Sequence, residues 1–187
     1  FTGVQALGFV SCISIFLGVI IIFEVALVSE KFGTSGLLGK LLQAIVVREL
    51  GPLIIALIVI GRSGTAIATE LGNMKISGEI KNLELMGINP ITFIVLPRLF
   101  GVVVSTVVLS IIFSTLSIMG GLFVSKMLTD ISIKLLFDEV IYTITLSDVL
   151  LNIVKSLIFG ISISIISSYN GLSVDKSPIE VPRITTK

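Results

Sequence analysis

The sequence lacks the side chains on which most enzymes and metal sites depend. Its 187 residues include no histidine and no tryptophan, and Cys12 is the single cysteine. Without histidine, the commonest general base and the commonest metal ligand are missing. One cysteine cannot form a disulfide framework or a cysteine-based metal site. We therefore expect no metal, no cofactor and no Ser-His catalysis.

Charged residues are also scarce. Only 13% of the residues are Asp, Glu, Lys or Arg, and 54% are hydrophobic, whereas about a quarter of the residues of soluble domains are charged. The net charge is +1 and the basic residues are scattered, so we expect no nucleic-acid partner. This composition predicts an integral membrane protein.

Four apolar runs are long enough to cross a bilayer, which takes about 20 helical residues. They lie at residues 1–23, about 41–68, 99–125 and about 149–169. We expect an all-α integral membrane protein with about four transmembrane helices in a single domain over residues 1–187. Lys and Arg are spread almost evenly over the loops, so charge alone does not predict the orientation.

The connections between the runs are polar. Residues 30–40 are rich in glycine, which is typical of a loop, and residues 129–148 form an acidic, partly amphipathic connection. Residues 74–86 carry apolar residues at helical spacing between charges, which predicts one short amphipathic helix at the membrane surface. That helix is too short to cross. It either lies on lipid or receives force from a cytosolic motor protein.

The second apolar run is unusual because it contains charged residues. Arg48 and Arg62 are 14 residues apart, so a regular helix places them near one face. Ionisable side chains within a membrane usually face a cavity or a partner, and arginine there suits a phosphate or carboxylate group. Alternatively, Arg48 lies at the interface, reaches water and pairs with Glu49 or Glu24. Glu24 is either buried beside a cation or exposed at the interface.

Small residues recur along the same run at spacings of three, four and four. They are Gly61, Gly64, Ala68 and Gly72. Such a stripe allows two helices to approach closely in lipid. Packing within the subunit is the simpler interpretation, and a dedicated site is the alternative. We assign Gly51 and Pro52 to helix packing as well.

No site for ATP hydrolysis or covalent catalysis is evident in the sequence. The nearest approach to a phosphate loop, residues 33–41, has a glycine spacing one residue too long and a leucine in place of the Ser or Thr that holds magnesium. Lys155 and Ser156 are adjacent, so on a helix they do not face each other as a dyad. We therefore expect any ATP hydrolysis to come from a separate subunit.

Five motifs resemble, in order and spacing, the MlaE/YrbE family of permeases. They are Arg48-Glu49-Leu50-Gly51-Pro52, Gly61-Arg62-Ser63-Gly64, Glu70-Leu71-Gly72-Asn73-Met74, Leu85-Met86-Gly87-Ile88-Asn89-Pro90 and Pro97-Arg98. Weaker runs at residues 155–160, 169–171 and 184–186 also fit. The resemblance covers nearly the whole chain. Each motif alone is modest, but the ordered set is specific.

The resemblance implies the permease subunit of an Mla- or Mce-type ABC transporter that moves phospholipids or related lipids between inner and outer membranes. It implies a cytosolic ABC ATPase subunit, an MCE-domain protein outside the membrane and a second copy of this chain. The membrane would be the bacterial inner membrane, or the inner envelope of a plastid. The full family domain has five transmembrane helices, so this chain would lack an N-terminal interfacial helix and the last transmembrane helix. The alternative is a secondary transporter or channel without an ATPase, although inverted repeats and paired broken helices are not evident.

The resemblance also implies roles for individual residues. The Arg48 end would face the periplasm, where Arg48, Glu49 and Leu50 match the family's lipid-contacting stretch. With Glu24 and Arg62, which the position and spacing of charges suggest, they are the candidate lipid-binding residues. Residues 70–89 would be cytosolic, and the candidates for coupling to the ATPase are Lys75, Glu79, Leu83, Glu84, Met86 and Gly87. The chain departs from the family at Glu24, where glutamine is usual, and at residues 78–81, where an acidic run is usual.

Overall fold

The computed structural model describes residues 2–32, 38–128 and 133–174, and the regular structure in these ranges is helical. The helices are α1 (Thr2–Phe32), α2 (Leu38–Gln43), α3 (Gly51–Val59), α4 (Thr65–Ile76), α5 (Glu79–Leu85), α6 (Leu96–Leu128), α7 (Ile133–Thr143) and α8 (Leu146–Leu172). Three π-helical segments interrupt the α-helices. They are Ala44–Leu50, Ile60–Gly64 and Ile91–Val95.

Four of the described helical segments are long and apolar enough to cross a membrane. They are Leu7–Glu24, Ala44–Ile76, Ile91–Val124 and Leu146–Leu172. The prediction of an all-α membrane protein with about four transmembrane helices is therefore confirmed. The second segment runs without a break through both of its arginines, because π-helical turns and α-helices alternate along it. The charges do not end the helix.

The predicted single helix over residues 74–86 is wrong. Helix α4 continues to Ile76, and α5 covers only Glu79–Leu85. The break lies at Gly78, whose φ of +80° is the left-handed conformation that glycine adopts readily. The predicted loop over residues 30–40 is also shorter at both ends, because α1 reaches Phe32 and α2 begins at Leu38. Residues 33–37 lie outside the described residues.

The chain divides into two compact units, and the first consists of Phe1–Ile55 and Val107–Ser156. In this unit α1 and α6 pack backbone against backbone. A Cβ on Gly18 would collide with the backbone carbonyl of Ser117, and a Cβ on Gly120 would lie 3.0 Å from the Ile15 backbone. Small residues permit this approach, which is how helices associate in lipid.

The core of the first unit is an apolar cluster beside this packed pair. Its buried members are Ile21, Ile22, Val46, Leu122 and Val140. Leu50 packs against the cluster from the π-helical turn Ala44–Leu50. The cluster therefore fixes the apolar side of the turn that carries Arg48 and Glu49.

The second unit consists of Ala56–Thr106 and Leu157–Lys187. Here a Cβ on Gly171 of α8 would lie 2.8 Å from the Ala68 carbonyl oxygen, and a Cβ on Gly160 would lie 3.0 Å from Val103 Cα. Helices α4 and α6 thus each approach α8 closely within this unit. The prediction of one domain over residues 1–187 stays a prediction.

The predicted stripe of small residues is interrupted at its first member. Gly64, Ala68 and Gly72 are buried, and a Cβ on Gly64 would lie 2.9 Å from Ser167 Oγ. Gly61 is exposed, and among the described residues a Cβ added to it would meet no atom within 4 Å. The expected packing role of Gly61 is therefore not seen within residues 2–32, 38–128 and 133–174. The π-helical segment Ile60–Gly64 changes the register between the two glycines, because its hydrogen bonds span five residues instead of four.

Candidate functional site

The π-helical turn Ala44–Leu50 presents two charged side chains within an apolar span. Its backbone follows the five-residue pattern of π-helices, since the Gly51 amide donates to the Val46 carbonyl. Val46 and Val47 are buried, whereas Arg48 and Glu49 are exposed. The turn therefore holds its apolar residues inside the first unit and its charged residues outside.

Pro52 makes this turn depend on hydrogen-bond donors from another helix. Proline has no amide hydrogen, so it cannot donate to Arg48 in an α-helical turn or to Val47 in a π-helical one. Helix α8 supplies donors to both carbonyls. Asn152 Nδ2 lies 2.7 Å from the Val47 oxygen, and Lys155 Nζ lies 2.9 Å from the Arg48 oxygen.

Lys155 also forms an ion pair with Glu49. Its Nζ lies 2.9 Å from both Oε1 and Oε2 of that carboxylate. The two side chains are 34% and 63% exposed. Within the described part of the chain, Arg48 forms no ion pair with Glu49 or Glu24, so the pairing weighed from the sequence is not seen. Lys155 is the cation that compensates Glu49.

Asn152 is the buried centre of the polar contacts in the first unit. It is 2% exposed. Its Oδ1 accepts a hydrogen bond from Ser110 Oγ at 2.8 Å, and its Nδ2 lies 3.3 Å from Ser114 Oγ. A buried amide is costly unless its polar atoms are paired, and here both are. A Cβ on Gly51 would lie 2.8 Å from Ser114 Oγ and 3.3 Å from Asn152 Nδ2, so glycine makes room for this cluster.

The other candidate lipid-binding residues lie elsewhere. Arg62 is exposed on the second π-helical segment, Ile60–Gly64, which belongs to the second unit. The expectation that it shares a face with Arg48 assumed a regular α-helix, and π-helical turns at both arginines remove that premise. A common path for the two arginines stays a prediction. Glu24 is exposed on α1.

The candidate coupling residues cluster around α5 in the second unit. A cavity of about 630 Å³ lies beside this helix, lined by Lys75, Ile76, Gly78, Ile80, Lys81, Glu84 and Val174. Glu79 is exposed, Leu83 is half-buried, and Gly87 follows the helix with a φ of +74°. Leu85 and Met86 are 77% and 73% exposed. Helix α5 and the residue after it thus present the apolar side chains of Leu85 and Met86 and the carboxylate of Glu79 at the surface.

Two charged contacts hold the ends of the helices around α5. Lys75 Nζ lies 2.6 Å from the Leu172 carbonyl at the C-terminal end of α8, where a cation is favoured by the helix dipole. Arg98 Nη2 lies 2.8 Å from Glu70 Oε1 and links the first turn of α6 to α4. These contacts tie the membrane helices of the second unit to the segment that carries α5.

A family comparison decides between the classes of protein that this geometry allows. The family model of the permease MlaE matches residues 1–187, which is the entire chain. The chain belongs to the MlaE permease family. The five motifs that suggested this family are distributed across both units.

Relatives of this MlaE-family chain come from bacteria and a plant. The chain is 28% identical over 186 residues to the intermembrane phospholipid transport system permease protein MlaE of Haemophilus influenzae, covering 99% of this chain and 71% of that protein. It is 29% identical to a probable ABC transporter permease protein of Rickettsia typhi, covering 100% of this chain and 72% of that protein. It is 28% identical to the chloroplastic protein TRIGALACTOSYLDIACYLGLYCEROL 1 of Arabidopsis thaliana, covering 99% of this chain and 53% of that protein.

Two members of the site were not predicted from the sequence of this MlaE-family chain. The sequence gives Asn152 no role, and it places Lys155 beside Ser156 and in a weak family run without identifying its partners. The available signal is Pro52, because a proline within a continuous helix leaves carbonyls that need donors from elsewhere. The donor Asn152 lies 105 positions along the chain from Val47. Only the packed structure identifies it.

Proposed function

We propose that the chain is the membrane-spanning permease subunit of an ABC transporter for phospholipids or related lipids. The observation that carries the proposal is the pair of exposed charged residues, Arg48 and Glu49, on a π-helical turn within an apolar span of an MlaE-family chain. Ionisable residues at such positions mark substrate paths. The name of the Haemophilus relative, which specifies intermembrane phospholipid transport, supports the substrate class.

The head group of the lipid binds at this turn. Because Lys155 compensates Glu49, the guanidinium of Arg48 is the cation available to a phosphate, which it binds through two parallel hydrogen bonds. Leu50 lines the apolar side of the same turn. Glu24 and Arg62 stay predicted lipid-binding residues from the sequence.

An ABC ATPase subunit drives transport and docks at α5. The exposed side chains of Glu84, Leu85 and Met86 offer one charged and two apolar contacts to such a partner. Lys75 joins α4, which precedes α5, to α8, and Arg98 joins α6, which follows α5, to α4, so movement of the ATPase would reach the membrane helices. Residues 70–89 are then cytosolic, and the Arg48 end of the same span faces the periplasm.

The remaining partners follow from the family. A second copy of the chain and an MCE-domain protein outside the membrane complete the transporter. It resides in a bacterial inner membrane as a multi-pass protein. The chloroplastic relative from Arabidopsis supports the inner envelope of a plastid as the alternative location.

The test is reconstitution of the full-length protein with the subunits that co-purify with it. We expect an ATPase among those subunits, phospholipid in the mass spectrum of the purified complex, and transfer of fluorescent phospholipid between liposomes that requires ATP hydrolysis. Transfer at the same rate without ATP, together with no ATPase in the complex, would refute the proposal and favour a secondary transporter or channel.

A further inference from the structure

The hydrogen bond from Asn152 to the Val47 carbonyl stands in for a backbone bond that Pro52 cannot make. In the five-residue pattern of a π-helix, residue 52 would donate its amide hydrogen to the carbonyl of residue 47. Proline has no such hydrogen. Asn152 provides one at 2.7 Å from a position that is 2% exposed, where water has little access to replace it.

The surrounding contacts fix the orientation in which the Asn152 amide can donate. Ser110 Oγ donates to Oδ1 at 2.8 Å, which directs Nδ2 towards Val47. Ser114 Oγ is occupied by its bond to the Ser110 carbonyl at 2.9 Å. A flipped amide would place two oxygens, Asn152 Oδ1 and the Val47 carbonyl, against each other. The cluster therefore allows one orientation of the side chain.

We propose that Asn152 is a positioning residue of the lipid site. It holds the π-helical turn through the Val47 carbonyl and thereby sets the direction in which Arg48 and Glu49 project. Lys155, three residues further along α8 and on the same face, bonds the next carbonyl, that of Arg48. The positioning of the turn follows from the structure alone, and its consequence for lipid rests on the proposed function.

The experiment restores the missing amide hydrogen and asks whether Asn152 becomes dispensable. The full-length protein in phospholipid nanodiscs carries Cys12→Ala, which removes the single cysteine of residues 1–187. Any cysteine outside these residues is also replaced, and Arg48→Cys carries a nitroxide label. Asn152→Ala, Pro52→Ala and the double variant are compared by electron paramagnetic resonance. An unpaired buried carbonyl shifts the population of the turn by about tenfold, so Asn152→Ala is expected to add a second, more mobile spectral component.

Rescue by Pro52→Ala is the decisive result. If Asn152→Ala only disturbed the packing of α8, an added amide hydrogen at residue 52 would not reverse its effect. Pro52→Ala supplies a backbone hydrogen to the same carbonyl, so the double variant is expected to return to the single component. If Asn152→Ala does not yield folded protein, Asn152→Leu, which keeps the side-chain volume, takes its place. Independent, additive effects of the two substitutions, or an unchanged label in Asn152→Ala, would overturn the proposal.

A second measurement separates this proposal from the proposed function. Chains that retain Arg48 are assayed for ATP-dependent transfer of phospholipid. Asn152→Ala alone is expected to lower the rate of transfer about tenfold. Pro52→Ala added to Asn152→Ala is expected to restore that rate. Thr115→Val is the matched control, because its exposed hydroxyl donates to the Ile111 carbonyl of its own helix and to no other group in the described part of the chain. A label that responds and is rescued, with transfer unchanged in every variant, would support the positioning of the turn and overturn its role in lipid binding.

Discussion

The ammonium group of Lys155 lies 2.9 Å from both carboxylate oxygens of Glu49 and 2.9 Å from the carbonyl oxygen of the preceding residue, Arg48. One cation on α8 therefore bonds the side chain of one residue and the backbone of its neighbour. This arrangement compensates the charge of Glu49 while the guanidinium of Arg48 projects from the turn. The proposed head-group site depends on Lys155 pairing with Glu49, because Arg48 is then available to the phosphate.

Replacing Lys155 by methionine tests whether Lys155 compensates the charge of Glu49. Lys155→Met keeps the length of the side chain but leaves Glu49 without its cation, and the carboxylate then competes with phosphate for Arg48. Because the two side chains are 34% and 63% exposed, we expect transport to fall by about twofold to fivefold. Lys155→Arg, which keeps the charge, is the control. The measurement is ATP-dependent phospholipid transfer between liposomes, and equal rates for Lys155→Met and the unmodified chain would contradict the assignment.

The packing of α1 against α6 gives a prediction about stability. Gly18→Ala places a methyl group against the backbone of Ser117, which cannot move aside as a flexible side chain would. We expect a destabilisation of about 1 to 3 kcal/mol, as for overpacked cores. Gly8→Ala in the same helix is the matched control, since its Cβ would meet no described atom within 4 Å. Thermal unfolding in detergent should separate the two variants, and identical midpoints would show that the helices do not approach so closely.

The proposed ATPase contact is tested by reversing one exposed charge on α5. Glu84 is exposed, so Glu84→Lys should leave the fold intact while it weakens docking of the ATPase. Asp138→Lys makes the same charge change at an exposed position on α7. We expect the first variant to lose the ATPase on pull-down and the second to retain it. Full retention by both, with normal ATP turnover, would exclude Glu84 from the contact.

The ion pair between Arg98 and Glu70 is tested by exchanging its charges. Arg98→Glu alone sets two carboxylates against each other, and Glu70→Arg in the same chain restores an opposite pair. Because the side chains are 22% and 64% exposed, we expect a coupling free energy of no more than about 1 kcal/mol in a double-mutant cycle. The measurement is the unfolding midpoint of the four variants. A coupling free energy of zero would mean that the contact does not hold α6 to α4.

The membrane spans could be predicted from the sequence because each depends on a long run of mostly apolar residues. The run at residues 99–125 corresponds to α6 (Leu96–Leu128), and the run at 149–169 corresponds to α8 (Leu146–Leu172). The single helix predicted over 74–86 was wrong because Gly78, with its positive φ, can end one helix and begin another at little cost. Periodicity does not distinguish such a turn from a continuous helix.

Arg48 and Glu49 of the site could be predicted from the sequence, whereas the roles of Asn152 and Lys155 could not. Arg48 and Glu49 attract notice because a charge within an apolar run is costly. Asn152 is uncharged and carries no such signal, and Lys155 is a charge within the fourth apolar run whose partners the sequence does not identify. The carbonyl groups that both residues bond lie more than a hundred positions away on another helix. Both residues bond carbonyl groups of the π-helical turn Ala44–Leu50, and this pairing depends on how the helices pack. Local sequence patterns do not contain that information.

The most direct test of the account is the rate of ATP-dependent phospholipid transfer by Arg48→Glu in liposomes that also contain the co-purifying ATPase. Lys40→Glu, which reverses another exposed basic residue, is the control. The account predicts that Arg48→Glu abolishes transfer while the complex with the ATPase is retained, and that Lys40→Glu transfers normally. Transfer by Arg48→Glu at the rate of the unmodified chain would contradict the central claim that this guanidinium binds the lipid head group.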